Sequence, residues 1–230
     1  NYEIKLVNLL AGNELGGIAI DLFMDADQYA RDTIALRRLV REIYRAKMRA
    51  PQIMAPDDLF EPDWFQQYLE KSQGSLNIIS QHIYNLGAGF DPDLINKILD
   101  PTVLDIAAIP LRNLQNLLKE TGTSAVGWVG ESGGAYNNGR DGVTNTFVLS
   151  FWYLDILGMA ATYDTKVFCR QTLVGGYNGL LDTATFLPNP DYYSALLWHR
   201  LMGKHVLRTR FEGSTKIRAY AHCAKNPVSS

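Results

Sequence analysis

Strand signals and helix signals alternate along most of this chain, and that order constrains the fold more than any other feature. Ile4 to Leu10 reads as a buried strand. Asp25 with Gln28 then makes a capping-box start, and Tyr29, Leu36, Val40 and Ile43 follow a helical period. Ile53 to Ala55 reads as a short strand. Pro62 opens a helix carrying Trp64, Phe65, Tyr68 and Leu69, which Gly74 ends. Leu76 to Tyr84 is the next strand, and Asp91-Pro92 caps a short helix with Leu94, Ile95 and Ile98. A longer helix runs from Pro101 to Glu120 and stops at Gly122, with a kink expected at Pro110. Ala125 to Gly130 is a strand, and Thr144 caps a helix bearing Phe147, Phe151, Leu154 and Leu157. Lys166 to Val174 is a strand, and Asn189-Pro190 starts a helix that ends at Gly203. An order of strand then helix predicts a parallel sheet with helices outside it.

After Lys204 the pattern changes. Val206 to Phe211, a turn at Gly213-Ser214 and Ile217 to Cys223 predict an antiparallel hairpin. A domain boundary is therefore expected near Gly203, with residues 1–203 in one domain and 204–230 beginning another. The alternating part holds about five strands, whereas a closed β/α barrel needs eight. Either the sheet is open and doubly wound, or three barrel strands lie outside this chain.

Apolar residues make up 47% and charged residues 20%, which is an ordinary globular composition. A net charge of -2 argues against a nucleic-acid binder, which needs a basic surface. No apolar run approaches the ~18 residues of a membrane span. The start, Asn1-Tyr2-Glu3, carries neither an initiator Met nor a signal peptide, so a processed, truncated or fragmentary chain is expected. The two cysteines, Cys169 and Cys223, have no metal-ligand spacing, and neither a metal nor another cofactor is expected. The Arg37-Arg38, Arg41 and Arg45 cluster reads as the solvated face of an outer helix.

Two glutamates carry the chemistry. Glu14, in Gly12-Asn13-Glu14-Leu15, and Glu131, in Trp128-Val129-Gly130-Glu131-Ser132-Gly133-Gly134-Ala135-Tyr136, each follow a strand-like run and precede small residues. A β/α barrel places its reactive groups in that position, at the C-terminal ends of its strands. A pair of carboxylates is what glycoside hydrolysis requires, one as acid/base and one as nucleophile or second base.

Further motifs then name a family. They are His82-Ile83-Tyr84-Asn85-Leu86-Gly87, the run Trp128 to Gly139, Tyr163-Asp164-Thr165-Lys166, Cys169-Arg170-Gln171 and the run Pro188 to Arg200. With Gly12-Asn13-Glu14 they resemble the heparanase-like proteins of glycoside hydrolase family 79, in the family's order, from about Gly12 to Cys223. The resemblance implies an α/β architecture: an incomplete (β/α)8 TIM barrel, strands 4–8, followed by the start of a β-sandwich. It implies retaining β-glucuronidase activity, with Glu14 as acid/base at the end of strand 4 and Glu131 as nucleophile at the end of strand 7. Glu14 must then be protonated at rest, and burial or a negative neighbour is expected to raise its pKa. Asn13 would bind the sugar 2-hydroxyl, and His82 and Tyr84 would shape the sugar site. The Asn137-Asn138-Gly139 turn, whose N–H groups suit an anion, would sit at the glucuronate carboxylate, and Tyr136 would bind substrate. Gln171, Gly176 and Tyr177 would line the same cleft, although Tyr177-Asn178 reverses the family's Asn-Tyr order. The implied partner is a glucuronic-acid-containing polysaccharide, a proteoglycan or a small glucuronide, and the implied destination is the secretory pathway. Cys223 resembles a sandwich cysteine that pairs with a distant C-terminal one. A retaining glycosidase for a neutral sugar, and a non-catalytic glycan-binding remnant, are the competing expectations.

Overall fold

In a computed structural model, residues 8–16, 23–45, 50–72 and 74–225 are described. Their element order is β1 (Asn8–Leu10), α1 (Ala26–Ile43), β2 (Gln52–Leu59), α2 (Pro62–Lys71), β3 (Ile78–His82), β4 (Gly87–Ala88), α3 (Leu94–Leu99), α4 (Pro101–Leu104), a 3₁₀ turn (Asp105–Ala107), α5 (Ala108–Thr121), β5 (Val126–Ser132), β6 (Ala135–Tyr136), α6 (Leu149–Thr162), β7 (Phe168–Arg170), α7 (Pro190–Leu201), β8 (Met202–Leu207) and β9 (Ala221–Ala224). The first part of the first expected strand, Ile4 to Val7, lies outside the described residues. The chain forms two compact units, each drawing on several segments.

The first unit takes residues up to His82, then 112–131 and 165–167. Its strands lie in the order β1-β2-β3-β5, and every neighbouring pair is parallel. All five residues of β3 are buried, as expected of a parallel strand covered on both faces. Helices α1 and α2 supply the aromatic part of the core. The rings of Tyr29, Trp64 and Tyr68 meet at centroid distances of 5.0–5.6 Å, and Ile53, Ala55 and Ile79 join the same cluster. The capping signal at Asp25 is realised, because its side chain accepts from Gln28 N at 2.8 Å. The arginine cluster is only partly a solvated face. Arg38, Arg41 and Arg45 are exposed, but Arg37 reaches the Ser75 carbonyl at 2.8 Å and the Asn77 side chain.

Two register shifts interrupt this sheet. Between β2 and β3 the pairing slips between Pro56 and Asp58, so Asp57 is the extra residue. Between β3 and β5, Gln81 pairs with Val129 and His82 with Glu131, which leaves Gly130 as the extra residue. A bulge re-aims the side chains around it, and both bulges fall at the C-terminal ends of their strands.

The second unit takes residues 83–111, 132–164 and 168 onward. Helix α6 is buried along most of its length, through Trp152, Tyr153, Ile156 and Met159 among others. Arg170 on β7 anchors the unit. It pairs with Asp191 at 2.9 Å, both side chains almost wholly buried, and its guanidinium lies 4.5 Å from the Tyr153 ring centre and 5.2 Å from that of Trp152. Strands β8 and β9 pair antiparallel, and β8 follows α7 without a linker.

Several boundaries differ from the sequence expectation. The long helix is broken at Asp105–Ala107, so Pro110 falls in the first turn of α5, where its missing N–H costs nothing, and makes no interior kink. Thr144 does not cap α6. Its hydroxyl bonds the carbonyls of Arg140 and Tyr177 instead, and α6 begins at Leu149. Ladder pairing carries β2 past Pro56 to Leu59, and the fifth strand is only Phe168–Arg170. The hairpin ladder starts earlier than expected, at Met202, and excludes Phe211 and Ile217.

Candidate active site

In the first unit the chain turns sharply after β1. Gly12 has a φ of +102°, and a Cβ there would lie 2.3 Å from the Tyr29 hydroxyl oxygen, so only glycine fits. Tyr29 is fixed in turn by donating its hydroxyl to the Ala11 and Pro56 carbonyls. Burial pushes the Tyr29 pKa far up, so this hydroxyl stays a donor. Glu14 itself sits at a φ of 52°, and its N–H donates to the Asp57 carbonyl at 2.9 Å. The loop after β1 is thus tied to the bulge on β2, and Asn13 stands exposed beside Glu14.

His82 is the hub of the site. Its side chain is wholly buried, and its Nδ1 lies 2.7 Å from Glu14 Oε1. Its Nε2 faces Asp57 Oδ2 at 3.3 Å and Glu131 Oε2 at 4.0 Å, ion-pair separations rather than formal hydrogen bonds. Burial works to lower the His82 pKa. The carboxylates of Asp57, Glu14 and Glu131 overcome it and lift the group to about 9, so His82 is a cation at neutral pH. Glu14, His82 and Glu131 each contribute one atom to a cluster in which all three atoms lie within 4.8 Å of one another. The two glutamate carboxylates therefore meet, with a positive imidazolium against both. Retaining glycosidases hold their carboxyl groups about 5–5.5 Å apart, inverting ones about 6.5–9.5 Å.

The same three groups have the spacing of a cation site. A metal there would have to displace the proton that the neighbouring carboxylates hold on the imidazole.

Two carboxylates here were not singled out by sequence reasoning. Asp57 is 4% exposed and Asp58 1%. Asp58 accepts from the backbone N–H groups of Gly16 and Leu59. Burial raises its pKa against those hydrogen bonds, and the Glu14 charge adds to the rise. Gly130 makes room for Asp57, since a Cβ at position 130 would lie 1.7 Å from Asp57 Oδ1. The available signal was the acidic pair after Ala55-Pro56, at the end of a strand-like run.

In the second unit a further group of predicted residues gathers around Gly133. A Cβ there would meet the Asn178 side chain and the Gln171 carbonyl, each at 2.9 Å, and Tyr84 at 3.2 Å. Gln171 follows β7, and its N–H donates to the Ser132 carbonyl at 3.0 Å. Asn137, Asn138 and Gly139 all have positive φ, making a left-handed turn in which the Gly139 N–H goes to the Tyr136 carbonyl. That leaves the N–H groups of Asn137 and Asn138 as the anion-facing candidates. Tyr177 N donates to the Asn138 carbonyl at 2.7 Å, and Gly176 packs against Asn138, where a Cβ would lie 3.1 Å away. Tyr136, Tyr177, Gly176, Asn137 and Asn138 therefore form one loop cluster, with both tyrosines about half exposed. In the reversed Tyr177-Asn178 pair, Asn178 is the buried partner. Its amide holds the Ala135 carbonyl at 2.7 Å, which leaves Tyr177 as the member open to a ligand.

Residues 1–158 match the family described as glycosyl hydrolase family 79, N-terminal domain. The chain is 55% identical to heparanase-like protein 3 of Arabidopsis thaliana over 98% of its own length and 42% of that protein's. It is 47% identical to baicalin-beta-D-glucuronidase of Scutellaria baicalensis over 93% of its length and 41% of that protein's. The chain thus spans about two fifths of the relatives it matches. Among solved structures, the GH51 arabinofuranosidase of Xanthomonas axonopodis pv. citri superposes with a TM-score of 0.68 at 13% identity, over 85% of this chain and 43% of that one. That likeness shows the fold, an incomplete set of strands and helices of the (β/α)8-barrel type.

Proposed function

The chain belongs to glycosyl hydrolase family 79, and we propose that it carries the catalytic pair of a retaining β-glucuronidase, with Glu131 as nucleophile and Glu14 as acid/base. One observation carries this reading: one carboxylate oxygen of Glu14 and one of Glu131 lie within 4.8 Å, on the retaining side of the carboxylate spacing. In the first step Glu131 attacks the anomeric carbon while Glu14 gives its proton to the glycosidic oxygen. The C1–O bond breaks, the aglycone leaves as an alcohol, and a glycosyl ester remains on Glu131. In the second step Glu14 takes a proton from water, the water oxygen attacks C1, and Glu131 is released as carboxylate. The His82 cation eases the repulsion between the two carboxylates and balances the charge that appears on Glu14 as it gives up its proton.

The choice of a glucuronide is supported by the baicalin-beta-D-glucuronidase relative and by the left-handed turn at Asn137 and Asn138, whose N–H groups suit a C5 carboxylate. Asn13, beside Glu14, is assigned to the sugar 2-hydroxyl. Tyr84, Tyr136, Gln171, Gly176 and Tyr177 are assigned to sugar binding on the likeness to the family.

The test uses the full-length protein and two aryl glucuronides that differ in leaving-group acidity. Glu131→Gln should abolish turnover of both. Glu14→Gln should lower turnover of the poor leaving group by about 10²–10⁴, the usual worth of general acid catalysis, and spare the good one. Equal loss on both substrates would remove Glu14 from the acid role.

A further inference from the structure

We infer that Asp57 is a positioning residue for this reaction: through His82 it keeps a positive charge between Glu14 and Glu131 throughout the catalytic cycle. The inference rests on the proposed function for its consequence, but the contact itself stands on geometry. Asp57 is 4% exposed, and its Oδ1 has no hydrogen-bond partner among the described residues. A buried carboxylate in that state is costly unless a cation faces it. The cation it faces is His82, 3.3 Å from Oδ2. The chain is arranged to allow this approach. Asp57 is the extra residue of one bulge, at a φ of 59°, and Gly130 is the extra residue of the other. Only glycine at position 130 leaves space for the carboxylate, and Glu131 follows directly.

His82 meets Glu14 at Nδ1 and both Asp57 and Glu131 at Nε2, and it is coupled more weakly to Asp58. These carboxylates differ in what they do during turnover. Glu14 alternates between acid and carboxylate, and Glu131 becomes a neutral ester in the glycosyl-enzyme. Asp58 is already held by two backbone N–H groups. Asp57 is the carboxylate at Nε2 that undergoes no covalent change, so it is the constant partner that keeps the ring charged when Glu131 is esterified.

Asp57→Asn removes the charge and keeps the volume, and asparagine tolerates the left-handed backbone at this position. In the full-length protein the alkaline limb of kcat/KM on an aryl glucuronide should move about one unit lower. That is a roughly tenfold loss at a pH above the limb, with little change on the acid side. The His82 ring, followed by ¹⁵N NMR, should titrate at correspondingly lower pH. Gly130→Ala, which drives the carboxylate off the ring by contact, should shift both measurements in the same direction, and it decides the matter if the Asn variant does not fold. A loss that is uniform across pH, with the limb and the His82 titration unmoved, overturns the inference. If the wild-type protein hydrolyses no glycoside, the proposed function fails, and the NMR titration still decides whether Asp57 sets the charge on His82.

Discussion

The buried His82 cation predicts a specific dependence of stability on pH. Its pKa is raised from 6.5 to about 9 in the fold. A raised pKa means that the folded state binds the proton more tightly than the unfolded chain does. The contribution is therefore fully present below pH 6.5, declines above it, and is gone once pH passes about 9. At about 1.36 kcal/mol per unit, the shift corresponds to ~3 kcal/mol lost across that window. This is a difference between two protonation states and not the net worth of the cluster, because burying these charges has its own cost. The assay is urea unfolding of the full-length protein at several pH values from 6 to 9, beside His82→Asn. The variant should be less stable throughout, since it leaves Asp57 and Glu14 without their cation, but its stability should vary much less over this range. Cysteine and terminal-amine titrations affect both proteins alike and cancel in the comparison. If wild type and variant lose the same free energy between pH 6.5 and 9, His82 is not the buried cation described.

Three further outcomes are expected. Arg170→Ala should cost about 3–5 kcal/mol in denaturant unfolding, because it leaves the buried Asp191 unpaired and uncovers the faces of Trp152 and Tyr153; a loss below about 1 kcal/mol would contradict the anchoring role. Gly158→Ala should lower Tm, with about 1–3 kcal/mol lost, because its Cβ would lie 2.2 Å from the Tyr220 ring and dislodge the hydroxyl from Asp155; a rise in Tm, from helix propensity alone, would show that the ring moves freely. The full-length protein should cleave an aryl glucuronide far faster than the matching aryl glucoside; comparable rates would remove the carboxylate from the recognition argument and favour a neutral sugar.

The order of elements was legible because its signals are local. Asp25 with Gln28, Pro62, and Asn189-Pro190 each mark a helix start by backbone chemistry that needs no knowledge of the rest of the chain. The failures came where long-range contacts outweigh local signals. Thr144 has the chemistry of a cap, but its oxygen accepts from the Arg140 N–H, and its proton turns to the carbonyls of Arg140 and Tyr177, the latter from a loop far along the chain. Pro110 looked like an interior kink only because the break at Asp105–Ala107 leaves no mark in the apolar period. Strand ends were also hidden. The short apolar run Ile53 to Ala55 predicts β2 to stop before Pro56, whereas ladder pairing with β3 carries it to Leu59.

The same limit divides the site. Glu14 and Glu131 could be picked out because each sits between an apolar run and small residues, a pattern written in neighbouring positions. Asp57 could not. It lies where the strand reading ends, and its partner Gly130 reads as an ordinary glycine before a glutamate. Each bulge adds one residue to its strand, and a one-residue shift turns the following side chains to the other face. Without the slip at Asp57, this carboxylate would not face the His82 ring. Without the slip at Gly130, Glu131 would not pair with His82 in register. Two irregularities in separate strands thus bring two carboxylates onto one imidazole. A period-of-two reading treats such irregularities as noise, so the feature that organises the charge of the site was the one least available to the sequence.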